Sequence, residues 1–145
     1  MKALVTLALL IYSANVLPAE AFDSEMQFSS EFNGGNCGYC AWILAEGVIT
    51  ADTLEDFKEY LENNRPSLLQ SGGYNIAFNS PGGDLLGALR LGRYLREKNW
   101  DTYARERSAR TLGSPNFYES YSSACYSACV YAFAGGVNRY TEDNA

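Results

Sequence analysis

Residues 74–99 read YNIAFNSPGGDLLGALRLGRYLREKN, and the change of period inside that stretch decides the fold class. Tyr74 to Asn79 follows the Gly72-Gly73 turn signal and has the length and apolar content of a strand. Ser80-Pro81-Gly82-Gly83 breaks it, because proline and paired glycines cannot continue a ladder. From Asp84, a residue type that caps helices, the spacing becomes helical to about Asn99. Leu85, Ala88, Leu89, Gly92 and Leu95 share one face; Arg90, Arg93 and Glu97 take the other.

The same alternation extends in both directions. Upstream, Ala41 to Ile49 is a nearly continuous apolar run, as expected of a buried strand, with a short strand expected around Met26–Ser30 before it. Thr50 or Asp52 can cap a helix over Thr53–Asn64, where Leu54, Phe57, Tyr60 and Leu61 recur at helical spacing and Pro66 marks the stop. Downstream, Asp101–Ala104 reads as a short strand and Arg105 to Tyr121 as a polar surface excursion. Ala124 to Ala134 reads as a buried small-residue helix closed by Gly135-Gly136, with no packed element after it. Alternating strands and helices make this one α/β domain over residues 22–145.

Residues 1–21 have the pattern of a signal peptide. Lys2 is followed by the apolar run Ala3 to Ile11, interrupted only by Thr6. Ala19-Glu20-Ala21 supplies the small-x-small site, so cleavage is expected after Ala21 and the mature protein is expected to be periplasmic or secreted. The run is too short for a stable membrane span of roughly 20 residues. Lys2 and Glu20 leave together, so the formal charge of −6 is unchanged, and that acidic balance excludes a nucleic-acid binder relying on a basic field.

Cys37, Cys40, Cys125 and Cys129 are an even set in an exported chain, which favours disulfides; three pairings are open. Unpaired thiols remain an alternative. The two-residue spacing of Cys37 and Cys40 is also that of zinc ligands or a redox pair, and with Cys125 and Cys129 it makes a four-thiolate set. No cofactor or metal is required by any other feature.

Two segments carry chemistry. Asn79-Ser80-Pro81-Gly82-Gly83-Asp84 brings bare backbone N–H groups to a helix N-terminus, which suits developing negative charge. Cys125-Tyr126-Ser127-Ala128-Cys129 sets a serine among small residues at the start of a helix, as a nucleophile or simply as an N-cap. The two together, with Leu89-Arg90-Leu91-Gly92-Arg93 between them and Gly135-Gly136 after, resemble exported Clp-protease-like proteins of the ClpP/crotonase superfamily. The resemblance covers Ile76 to Arg139.

That resemblance implies an α/β fold of repeated β-β-α units and a serine peptidase lineage. Ser127 matches the nucleophile; Gly83, with Gly82 beside it, matches the first oxyanion donor, and the Ala128 N–H the second. It also implies an extended peptide or protein substrate laid along the sheet edge near Pro81 to Leu85, with Arg105, Arg107 and Arg110 near the cleft.

The resemblance further implies a histidine base a few tens of residues after the serine, yet the 145 residues contain no histidine. Lys98 is expected at the far end of its helix from the glycines, and an Asp84 carboxylate is too weak a base to replace imidazole. The expectation is a C-terminally incomplete hydrolase-like domain, inactive as it stands, whose exposed apolar surface favours homo-oligomerisation. The alternative is a non-catalytic relative kept for peptide binding or oligomerisation.

Overall fold

The computed structural model describes residues 23–32, 41–70, 74–104 and 124–141, with the backbone alone at 32 and over 65–70. Strands β1 (Gln27–Phe32), β2 (Ala41–Glu46), β3 (Asn75–Asn79), β4 (Asp101–Ala104) and β5 (Arg139–Thr141) form one sheet in that spatial order. β1 is antiparallel to β2, and the remaining pairs are parallel. Helices α1 (Thr53–Gln70), α2 (Leu85–Glu97) and α3 (Cys129–Ala134) make the three crossovers. Neighbouring parallel strands joined in chain order by crossovers of one hand receive all their helices on one face.

The core shows that face. Ile43, Ala45, Ile76 and Phe78 point from β2 and β3 into a buried cluster with Phe57 of α1, Ala88, Leu91 and Leu95 of α2, and Cys129 and Ala132 of α3. Phe57 is its pivot, with ring centroids 5.0 Å from Phe28, 5.4 Å from Trp100 and 6.1 Å from Tyr94. The opposite face carries a smaller buried set, Trp42, Leu44 and Ala77, with Tyr103 against it. β3 is buried along its whole length, as a central parallel strand should be.

Several expectations need correction. α1 does not stop at Asn64 but runs to Gln70, through Pro66. A proline removes one rung, the donor to the Glu62 carbonyl, and need not end a helix whose earlier turns are anchored. Here Phe57 is in the core, and Asn64 Nδ2 donates to the Tyr60 carbonyl at 2.8 Å. The inward face of α2 keeps the expected Ala88, Gly92 and Leu95 and adds Gly87 and Leu91, whereas Leu85, expected inside, is 47% exposed. The helix expected over Ala124 to Ala134 begins only at Cys129. Finally, β5 follows the Gly135-Gly136 turn where no element was expected, its register against β4 set by Tyr103 opposite Tyr140. Those two rings stack at 4.7 Å.

Three isolated bridges lie beyond the main sheet: Glu25 with Val48, Ile49 with Gly83, and Ser80 with Cys125. The second and third tie together the turns that form the candidate site. Cys37, Cys40, Arg105, Arg107, Arg110 and residues 1–21 lie outside the described residues, as do the expectations placed on them.

Candidate functional site

The site begins where β3 ends. Ser80 is fully buried and its hydroxyl accepts the Gly82 N–H at 3.1 Å, a serine turn that bends the chain out of the sheet. Past the bend, the Ile49 N–H donates to the Gly82 carbonyl at 2.8 Å and the Asp84 N–H donates to the Ile49 carbonyl at 2.7 Å. Asp84 then caps α2 by accepting the Gly87 N–H at 2.6 Å. The turn is thus fastened on the α1 side through Ile49 and on the α2 side through Asp84.

Both glycines are required, for different reasons. Gly82 has φ +105° and Gly83 φ +134°, which side-chain-bearing residues rarely adopt. A Cβ on Gly83 would collide with the Ile49 carbonyl oxygen. A Cβ on Gly82 would lie 2.7 Å from Ser127 Cβ, 2.7 Å from the Tyr126 carbonyl oxygen and 3.0 Å from the Ala128 nitrogen. Gly83 admits the Ile49 backbone, and Gly82 admits the serine segment.

That serine segment is held from the other side. The Ser80 N–H donates to the Ala124 carbonyl at 2.6 Å, and the Tyr126 N–H donates to the Ser80 carbonyl at 3.0 Å. Cys125 and Cys129 are joined by a disulfide across the intervening residues. At its midpoint Ser127 takes φ +52°, a left-handed conformation uncommon outside glycine. Ser127 is exposed, and its hydroxyl has no hydrogen-bond partner among the described residues. It does not cap α3, whose N-cap position belongs to Ala128 and has no side-chain cap bond.

The amide inventory completes the geometry. The Gly82 N–H is taken by Ser80, so of the two glycines only Gly83 has an N–H without a protein acceptor among the described residues. The Ala128 N–H likewise has none. The unused Gly83 and Ala128 N–H groups and the exposed Ser127 hydroxyl therefore belong to two segments, 82–83 and 126–128, that meet at Gly82. Such a group can bind the oxygen of a tetrahedral or carboxyl-like centre while the hydroxyl meets its central atom.

Other sequence candidates stand apart from it. Lys98 is at the opposite end of α2, its ammonium 6.0 Å from the Tyr94 ring centroid. Asp84 is occupied as the cap. Among the described residues no group of three His, Cys, Asp or Glu side chains is arranged to hold a metal. Ser80 and Ile49 are the parts that sequence reasoning overlooked. A hydroxyl two residues ahead of a glycine is a turn signal that pointed to Ser80, whereas the role of Ile49 is purely backbone and leaves no trace in the sequence.

Comparison of the chain with protein-family models, with curated proteins and with solved structures found no match in any of the three.

Proposed function

We propose that the chain carries an acyl-transfer site of the serine-hydrolase type, peptidase-like in its ancestry, with Ser127 as nucleophile and the Gly83 and Ala128 amides as oxyanion donors. The observation that carries this reading is an exposed, left-handed Ser127 whose segment packs against Gly82, with the neighbouring Gly83 and Ala128 N–H groups unused by any acceptor among the described residues. A donor of this kind is worth about 3–4 kcal/mol of barrier in acyl transfer. In the step itself Ser127 Oγ bonds to the carbonyl carbon, the carbonyl π pair moves onto oxygen, and the hydroxyl proton leaves to a base.

No imidazole in these 145 residues can take that proton. The binding half of the machinery is present and the proton-accepting half is not, so the chain by itself is an oxyanion trap without turnover.

The finer fold assignment, a ClpP/crotonase-like repeat, is supported by the two strand–bridge–helix passages. β2 leads through Gly47 to the bridging pair Val48 and Ile49 and on to α1; β3 leads through Gly82 to bridging Gly83 and on to α2. In such units the bridges stand for the second, short strand. Export is supported by the Cys125–Cys129 disulfide, a bond that persists in oxidising compartments. No helix among the described residues is long and apolar enough to cross a membrane. An extended peptide as substrate is supported by exposed Leu85, Leu86 and Tyr126, apolar neighbours of the site in sequence.

Phenylboronic acid tests the reading with water or buffer, rather than a protein base, as the proton acceptor. Ser127 Oγ bonds to its trigonal boron, the hydroxyl proton passes to the buffer, and the boron becomes a tetrahedral anion, which the two amides would hold. We expect a tetrahedral 11B resonance with the wild-type chain and none with Ser127→Ala. Equal signals from both would overturn the assignment. The absence of histidine favours a second reading, a peptide-capturing module that does not use Ser127. It predicts peptide binding of unchanged strength in Ser127→Ala.

A further inference from the structure

We propose that the Cys125–Cys129 disulfide is the positioning device of the site: it holds Ser127 out of helical conformation, and its reduction withdraws both the hydroxyl and the Ala128 amide. The inference deepens the reading above and rests on it for the meaning of the site, but not for the conformational change.

The argument is one of distances. In an α-helix, residues four apart have Cα atoms about 6.2 Å apart from the rise and radius of the helix, and Cβ atoms about 5–6 Å apart. A disulfide needs Cβ atoms about 3.5–4.5 Å apart. A bridge between Cys125 and Cys129 therefore cannot close over a regular helical turn, and their Cα atoms are 5.3 Å apart. The chain between them must leave the helix somewhere, and it does so at Ser127, with φ +52°. Cys129, fully buried as the first residue of α3, is the fixed end. Cys125 is the end that is drawn in.

Without the bridge the local preference reverses. Residues 124–134 have the small-residue composition and spacing of a continuous helix. In that helix Ser127 would be right-handed, and the Ala128 N–H would be consumed by the Ala124 carbonyl, which in the bridged form accepts from Ser80. Removing the bridge thus closes one oxyanion donor and detaches the serine segment from Ser80. The redox step is an ordinary exchange: a dithiol donates two electrons and two protons, the bridge becomes two thiols, and the dithiol becomes its cyclic disulfide.

The test compares the oxidised wild-type chain with Cys125→Ala/Cys129→Ala by amide NMR. In the oxidised chain Ser127 should show the strong intraresidue HN–Hα contact of a left-handed residue, and the Ala128 amide should exchange freely. In the variant Ser127 should become right-handed and Ala128 exchange should slow by about tenfold or more. Phenylboronic acid binding should weaken by a similar factor while the amide pattern of β2 and β3 is retained. If the double variant does not fold, the same three readings are taken as dithiothreitol is titrated into the folded wild-type chain. A left-handed Ser127 and a fast Ala128 amide after the bridge is removed would overturn the proposal, because Ser80 and Gly82 alone would then hold the turn. Failure of the oxidised chain to bind the boronic acid instead counts against the site reading and leaves the conformational comparison intact.

Discussion

Ser80 shows how much of the site depends on one hydroxyl. It is fully buried, takes the Gly82 N–H, and through its own amide and carbonyl grips Ala124 and Tyr126. Ser80→Ala leaves the Gly82 N–H buried and unpaired, so we expect a loss of about 1–3 kcal/mol in urea unfolding. Gly83→Ala is harsher, because a positive φ and a collision with the Ile49 carbonyl act together; about 2–5 kcal/mol is expected. Gly83 and Ser127 were both legible in the sequence as members of a turn and a small-residue segment. Their division of labour was not: that Gly82 spends its N–H on Ser80 depends on the turn the chain takes there, and the left-handed Ser127 goes with the Cys125–Cys129 bridge, neither of which helix or strand propensity reports.

Among the elements, α3 is the one whose position decides the site. Six residues are too few for a helix to stand by itself, so α3 is held by its neighbours. Thr102 of β4 donates its hydroxyl proton to the Phe133 carbonyl at 2.7 Å, and Arg96 of α2 donates to the Ala134 carbonyl at 3.0 Å. Thr102→Val keeps the shape and removes the donor. It should cost about 1–3 kcal/mol and speed amide exchange in α3 before the rest of the sheet is affected. Phe57→Ala removes the ring that joins α1 to Phe28, Tyr94 and Trp100, and should cost about 3–5 kcal/mol. The strands β3 and β4 and the cap of α2 could be read from the sequence because the period changes sharply at Pro81. The passage of α1 through Pro66 could not, since packing outweighs one missing rung. The late start of α3 had a signal, two cysteines four apart, that apolar composition concealed. β5 is three residues of mixed polarity, fixed only by its pairing with β4.

At the scale of the whole fold, the described residues form a mostly parallel sheet with their helices on one face, and the turns beyond the ends of β2 and β3 bring the serine segment to the glycines. That location lies outside the carboxyl ends of the parallel strands β2 and β3. α/β class was legible from alternation alone, whereas the single-faced winding required the register. Composition sets the limit on activity: with no histidine in 145 residues, hydrolysis of p-nitrophenyl butyrate by wild type and by Ser127→Ala should agree within about twofold. A wild-type rate well above the variant's would show that another group takes the serine proton.

An acyl-transfer site at Ser127 requires that the Gly83 and Ala128 amides and the Ser127 hydroxyl address one ligand atom group. The direct measurement is the 1H–15N spectrum of the oxidised chain during titration with phenylboronic acid. The Gly83 and Ala128 amide protons should move downfield together, saturate at one concentration, and remain still in Ser127→Ala. Movement of only one of the two, or of neither while boron becomes tetrahedral, would contradict it.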